Sequence, residues 1–278
     1  MKRFNNPVLF KELKLRFRSR KSFIGLLFYL LSLGLLVIGF IYSRSFSSPF
    51  GFFHPVESQW MFYYLSFLQL IFILFITPGL TAGVISGERE KQTLNIMLTT
   101  TQSSWTIIIG KLLSSISYLL LLLFASLPVY SFVFLYGGVS PNQFVTVFLL
   151  YIVTIIAVGN MSILFSTLIR KTIPAMVTSY GVMLFLTIGT GILLMLSLMI
   201  TSNINPTANS YPVPYFFASL NPFVVMLSIL NKEFYEEINS LMFNINLPLW
   251  VPYTCLYVCL FIISINISVR KIRPNMND

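Results

Sequence analysis

Hydrophobic positions run through this chain in long, nearly unbroken blocks. They do not follow the alternating or one-faced patterns of water-soluble strands and helices. A block of about 20 mostly apolar residues is the length needed to cross a bilayer as a helix. Six blocks qualify, at about 22–42, 60–84, 107–135, 143–169, 172–200 and 249–269. Pro78, Pro128 and Pro174 lie near block ends, where a missing backbone donor is best tolerated. The first block is too long for a signal peptide, follows a long basic segment and has no clear small-residue cleavage site, so it reads as an uncleaved helix. The pattern predicts an all-α membrane protein, residues 1–278 forming one transmembrane domain.

The segments between the blocks have their own patterns. In NPVLFKELKLRFRSR, residues 6–20, Phe10, Leu13 and Phe17 fall at i, i+3 and i+7 and most basic residues lie on other faces. This predicts an amphipathic helix within residues 1–21, lying along the inner membrane surface; the plainer alternative is a basic topology signal. The long segment 201–248 begins rich in Asn, Pro, Ser and Tyr, then turns apolar from Phe223 to Leu230. That run is too short to span and predicts a re-entrant or interfacial helix. Glu233, Glu236 and Glu237 follow it; their spacing matches no calcium loop, which favours a solvated face over a metal site. Between the second and third blocks stands GEREKQTLNIMLTT, residues 87–100. It is charged first, at Glu88, Arg89, Glu90 and Lys91, then apolar at Leu94, Met97 and Leu98. The spacing gives one apolar face, and the acids sit near the expected helix start, where the helix dipole favours them. Such a helix could dock a soluble subunit and carry force; by pattern, a surface-anchored loop fits equally.

Composition agrees with a lipid solvent: 56% of residues are hydrophobic and 9% charged, against roughly 25% charged in soluble domains. The net charge of +10 would suggest nucleic acid in a soluble protein, but the basic residues cluster in short segments beside apolar blocks. All but two of the 18 Lys and Arg fall on one side of a six-span topology: Lys2, Arg3, Lys11, Lys14, Arg16, Arg18, Arg20, Lys21, Arg89, Lys91, Lys111, Arg170, Lys171, Arg270, Lys271 and Arg273. Arg44 and Lys232 fall on the other. This bias predicts both termini in the cytoplasm, a multi-pass cell-membrane protein and no nucleic-acid partner.

The chemistry inside the spans is sparse. They hold no Asp, Glu, Lys, Arg or His away from their ends, which argues against a proton relay or an intramembrane hydrolase. Sodium coupling is weakened only, because backbone carbonyls can bind sodium. His54 is the only histidine, and Cys255 and Cys259 sit i, i+4 within an apolar block, so no metal set or disulfide framework is present. No G-x-x-x-x-G-K-[ST] occurs; the nearest fragment is Gly110-Lys111, so energy for uphill transport must come from elsewhere. Gln69 and Asn160 enter spans, where helix packing is favoured over lining a substrate path. Gly79, Gly83 and Gly87 recur every fourth residue, fitting either close helix approach or a flexible end beside Pro78.

Three features together resemble the permease subunits of ABC-2 type ATP-binding cassette exporters. Asn6, Pro7, Lys11, Glu12 and Leu13 resemble the family's N-terminal Asn-Pro…Lys/Arg-Glu-Leu segment. Gly87 to Glu90, Thr93, Leu94, Leu98, Thr99 and Gly110-Lys111 resemble its Gly-Glu-Arg-Glu…Thr-Leu…Leu…Thr stretch followed by Gly-Lys. Six spans with a structured external region before the last are the third feature. The family often has a proline near Thr99 to Gln102, and this chain has none. The resemblance implies that the N-terminal helix, with Phe10 and Phe17, touches an ATPase. It implies that Glu88 to Leu98 is a coupling helix seated in that ATPase. It also implies a P-loop ATPase partner that binds ATP and Mg, no cofactor on this chain, and a second permease chain, identical or related. The cargo expected from apolar spans is an amphipathic peptide, antibiotic or lipid-like molecule. A membrane scaffold recruiting soluble partners and an ion-coupled secondary transporter are the competing readings.

Overall fold

The fold is taken from a computed structural model that describes residues 7–47, 55–94, 103–204, 212–236 and 247–272. The expectations placed on Asn6, His54, Met97, Leu98 and Glu237 fall outside these residues. Among the described residues there is no strand. The helices are α1 (Pro7–Phe17), α2 (Arg20–Ser47), α3 (Pro55–Thr81), α4 (Ser86–Glu90), α5 (Ser104–Ala125) and α6 (Leu127–Tyr136). They continue with α7 (Pro141–Leu168), α8 (Thr172–Leu184), a π-helical turn Phe185–Gly189, α9 (Thr190–Ile204), α10 (Pro212–Leu220), α11 (Pro222–Leu230) and α12 (Trp250–Lys271). Among the described residues, six helical stretches are long and apolar enough to cross a membrane: Ser22–Arg44, Pro55–Glu90, Ser104–Tyr136, Pro141–Leu168, Thr172–Ile200 and Trp250–Lys271. The chain is an all-α membrane protein.

Local sequence explains where the helices start and break. Ser103 and Ser140 cap α5 and α7, accepting from the backbone N–H of Thr106 and Gln143, and Pro141 occupies the first turn, where no donor is needed. The third span divides at Ser126. Pro128, in the first turn of α6, cannot donate back along the helix, and the Ser126 hydroxyl donates to the Leu123 carbonyl at 2.7 Å. α6 ends at Gly137 and Gly138, both at positive φ. A Cβ on Gly138 would collide with the carbonyl of Pro55, so only glycine brings this turn against the start of α3.

α7 is the axis of the bundle, between α3 and α12. Towards α3, the Tyr151 hydroxyl donates to the Ser66 carbonyl at 2.9 Å. Towards α12, Thr154 and Tyr253 share a 2.6 Å hydroxyl contact, and the Asn160 amide donates to the Phe261 carbonyl at 2.7 Å and Ser264 Oγ at 2.6 Å. Lipid competes for none of these groups, so each contact holds helices that hydrophobicity alone does not draw together. α2 is the loosest member, buried among its described side chains only at Tyr29, Leu33 and Val37, one stripe at every fourth residue.

The segment before the last span is more ordered than its composition suggests. α10 and α11 meet at a bend of 95°. Asn221, at the bend, caps α11 through its side-chain oxygen, while its amide donates to the Thr187 carbonyl at 2.6 Å and to Thr190 Oγ1 at 3.0 Å. At the π turn the Thr187 carbonyl also accepts from the Thr190 backbone N–H, so the Asn221 amide is a further donor to it. The far end of α11 returns to the starts of α3 and α7, where the Leu230 carbonyl accepts from Tyr63 and Gln143. At the other end, the Tyr215 hydroxyl donates to Leu247, just before α12. Both ends of the pair therefore lie at one end of the bundle and the bend lies inside it. The pair enters and leaves by one end of the bundle, the geometry of a re-entrant hairpin, and six other candidate spans stand among the described residues.

Candidate functional site

The motif residues of the sequence converge at the opposite end of the bundle, which carries α1 and most of the basic residues. Lys111 is the centre. It lies two turns into α5, with 1% of its side chain exposed, and its ammonium contacts Glu12 Oε1 of α1 at 3.1 Å and Glu88 Oε1 of α4 at 2.6 Å. A lone buried ammonium would be strongly disfavoured; two carboxylates with charge-assisted hydrogen bonds make the position tenable. One lysine thus ties together the N-terminal helix, the charged segment after span two and the third span.

The neighbouring residues of α4 clamp two further helices. The Arg89 guanidinium donates to the Thr167 carbonyl at 3.1 Å, satisfying an open carbonyl in the last turn of α7. Glu90 accepts from the Thr172 backbone N–H at 2.9 Å and from its hydroxyl at 2.5 Å, an acid at the N-terminus of α8. Ser166 of α7 caps α4 in turn, its hydroxyl accepting from Ile85 N and Ser86 N, both at 2.9 Å. Three consecutive charged residues, Glu88, Arg89 and Glu90, therefore grip α5, α7 and α8 respectively. Gly79, Gly83 and Gly87 face Tyr180, Met176 and Thr172 of α8, and a Cβ on Gly83 would approach Met176 to 3.0 Å and Thr172 to 3.1 Å. The close-approach reading of this glycine series is the one the packing fits.

The charged residues and the apolar run after them do not form one continuous helix. α4 stops at Glu90, and Gln92 takes a left-handed φ of 60°. That turn suits local hydrogen bonding, and Thr93 Oγ1 donates to the Glu88 carbonyl at 3.2 Å. Leu94 is buried. The hydrophobic spacing of Leu94 is thus reset relative to Glu88, which the sequence pattern did not register.

On α1, Phe10 is 73% exposed and Phe17 47% exposed, so the apolar face is left open while Glu12 faces Lys111. Lys11 is exposed and Leu13 half-buried. Phe17 meets Tyr118 of α5 edge-on at 6.5 Å. Arg16 reaches the Leu80 carbonyl at 3.4 Å, and burial pushes its guanidinium pKa down from the ordinary arginine value.

A family model described as ABC-2 family transporter protein matches residues 7–265. The chain belongs to that family. No curated protein matches it. As an ABC-2 family member the chain is a permease, the membrane component of a transporter, and membership implies association with ABC ATPase subunits. Within this ABC-2 protein, Gln69 donates to Ser126 Oγ at 3.2 Å, and the Asn160 amide bridges α7 to α12. Lys111 is the residue that sequence reasoning undervalued. It was countable as a topology charge and as half of a Gly-Lys pair, and no local signal marked it as buried. Arg16 was likewise counted only as part of the basic segment.

Proposed function

We propose that this chain is the membrane-spanning subunit of an ATP-driven exporter, and that the Glu12–Lys111–Glu88 junction transmits force from a separate ATPase to the spans. The observation that carries the reading is the buried lysine joining α1, α4 and α5. A push on the loop at residues 87–100 reaches α5 through Lys111, α7 through Thr167 and α8 through Thr172. α1 presents Phe10 and Phe17 outward, towards an ATPase surface or the bilayer interface. Leu94 is buried against the bundle and anchors the loop, which leaves Met97 and Leu98 as the apolar positions to seat in the ATPase. The charge bias supports a cytoplasmic position for this end and for both termini in a cell-membrane protein.

ATP and Mg bind on the P-loop partner, and closure of two ATPase subunits biases a pair of permease chains between two states. The cargo class best suited to the apolar spans is an amphipathic peptide, antibiotic or lipid-like molecule. The test is purification through this chain in mild detergent, with ATPase activity measured before and after Glu88→Ala together with Arg89→Ala. A co-purifying ATPase whose cargo stimulation falls on that replacement supports the coupling role. No ATPase in the complex, or unchanged stimulation, refutes it.

A further inference from the structure

At the end of the bundle opposite the junction lies a cavity of about 580 Å³, within the size range of small-molecule sites. It stands where the starts of α3, α7 and α12 meet the far end of α11. Its wall mixes polar side chains with the aromatic rings of Tyr63, Tyr235 and Trp250. Two of the polar groups in that wall are held in place. Gln59 donates through Nε2 to the Gly138 carbonyl at 2.6 Å, and Gln143 donates through Nε2 to the Ile229 and Leu230 carbonyls at 3.1 and 2.8 Å. Each amide is anchored by its nitrogen, and its oxygen is left without a partner among the described residues. Asn142 and Lys232, also in the wall, have no side-chain partner among the described residues either.

The lining narrows the class of ligand. Among the described residues no carboxylate lines the cavity, so it does not suit a metal ion or an organic cation. A purely apolar occupant would strip water from the amides without replacing their hydrogen bonds. Lys232 is the only charge among the described lining residues, and Glu233 next to it acts electrostatically on Tyr63, so the site is a poor trap for an anion. What fits is a neutral molecule whose hydroxyls donate to anchored amide oxygens and whose C–H faces lie on aromatic rings. We propose that this cavity binds a sugar group. Trp60 and Tyr64, each one position beyond a wall residue, are 48% and 52% exposed, the pattern of an interfacial aromatic belt. At that level a sugar can arrive from solution or as the headgroup of a glycolipid.

The test uses the full chain in nanodiscs of dioleoyl-phosphatidylcholine, with Trp60→Phe and Trp105→Phe leaving Trp250 as the one tryptophan reporter. Nanodiscs avoid maltoside detergents, whose sugar headgroups would compete for the cavity. Two probes separate the sources: maltose added to the solution, and monogalactosyl-diacylglycerol mixed into the disc. We expect a saturable change in Trp250 emission with at least one of them, the responding probe naming the source. Asn142→Leu should weaken binding about fivefold, the loss of one hydrogen bond. Thr146→Phe, which narrows the cavity from its wall, should weaken it further, and Lys232→Gln should leave it unchanged. No saturable response to either probe, or an affinity unaltered by both Asn142→Leu and Thr146→Phe in chains that keep their circular dichroism, overturns the proposal. So does loss of binding on Lys232→Gln, which would mark the ligand as an anion.

Discussion

Replacing Lys111 with Met tests the junction most directly. The two contacts are 3.1 and 2.6 Å long. At about 3 Å and an effective dielectric of about 20, one such pair attracts by about 5 kcal/mol. Burying the ammonium costs several kcal/mol in return, so the intact triad adds little net stability. Removing only the lysine is different, because it leaves two carboxylates facing an apolar side chain. Breaking a buried pair in this way costs about 3–5 kcal/mol. Glu12 and Glu88 keep 28% and 24% of their side-chain surface, so water takes up part of their charge and the expected loss is about 3 kcal/mol. The assay is equilibrium unfolding of the purified chain in mild detergent, with Lys111→Met compared against the triple variant Lys111→Met, Glu12→Gln, Glu88→Gln. The triple variant should recover to within about 1 kcal/mol of the unsubstituted protein, since no charge is left stranded. It should nonetheless show weakened cargo stimulation of the partner ATPase, because the mechanical link is gone. A Lys111→Met loss below about 1 kcal/mol, or a triple variant as unstable as the single, would refute the reasoning.

Other positions give sharper local tests. Asn221→Ala removes two side-chain amide hydrogen bonds and a helix cap at the hairpin bend, and should cost about 1–2 kcal/mol, read as faster backbone hydrogen exchange in α10 and α11. Gly83→Leu forces α3 from α8 and should cost about 1–3 kcal/mol in thermal unfolding, whereas Gly34→Leu, with open space around its Cβ position, should leave the melting temperature nearly unchanged. Asn160→Leu should cost about 0.6–1.7 kcal/mol, the range for hydrogen bonds between membrane helices, with transport retained if the residue packs and does not line the pathway.

The spans were legible because lipid imposes a severe rule: twenty apolar residues in a row have few other uses. The charged triplet Glu88-Arg89-Glu90 was legible as a distinct charged segment, but not its three separate grips, since Thr167, Thr172 and Lys111 are distant in sequence and look ordinary there. Lys111 was hidden by its own plausibility: a lysine near a span end satisfies the topology rule, and nothing local distinguishes a solvated one from a buried one. The hairpin was half legible. Phe223 to Leu230 is visibly too short to span, whereas Pro212 and Pro214 made the preceding helix look like loop; prolines in a first turn do not oppose a helix. The break after Glu90 was invisible because a single left-handed residue at Gln92 leaves no trace in hydrophobic spacing.

The re-entrant hairpin also constrains how the protein is made. Its bend sits inside the bundle, and the Leu220 carbonyl there accepts from the Tyr257 hydroxyl of α12, a helix synthesised later. Until that helix inserts, α10 and α11 lack one wall of their site, and a backbone carbonyl held at membrane depth stays unmatched. Biogenesis therefore cannot finish in chain order. The hairpin waits at the interface while the last span emerges, and the two settle together as the closing step of assembly. A chain halted before residue 249 should accordingly be caught by the cell's quality control even though five of its six spans are already in place.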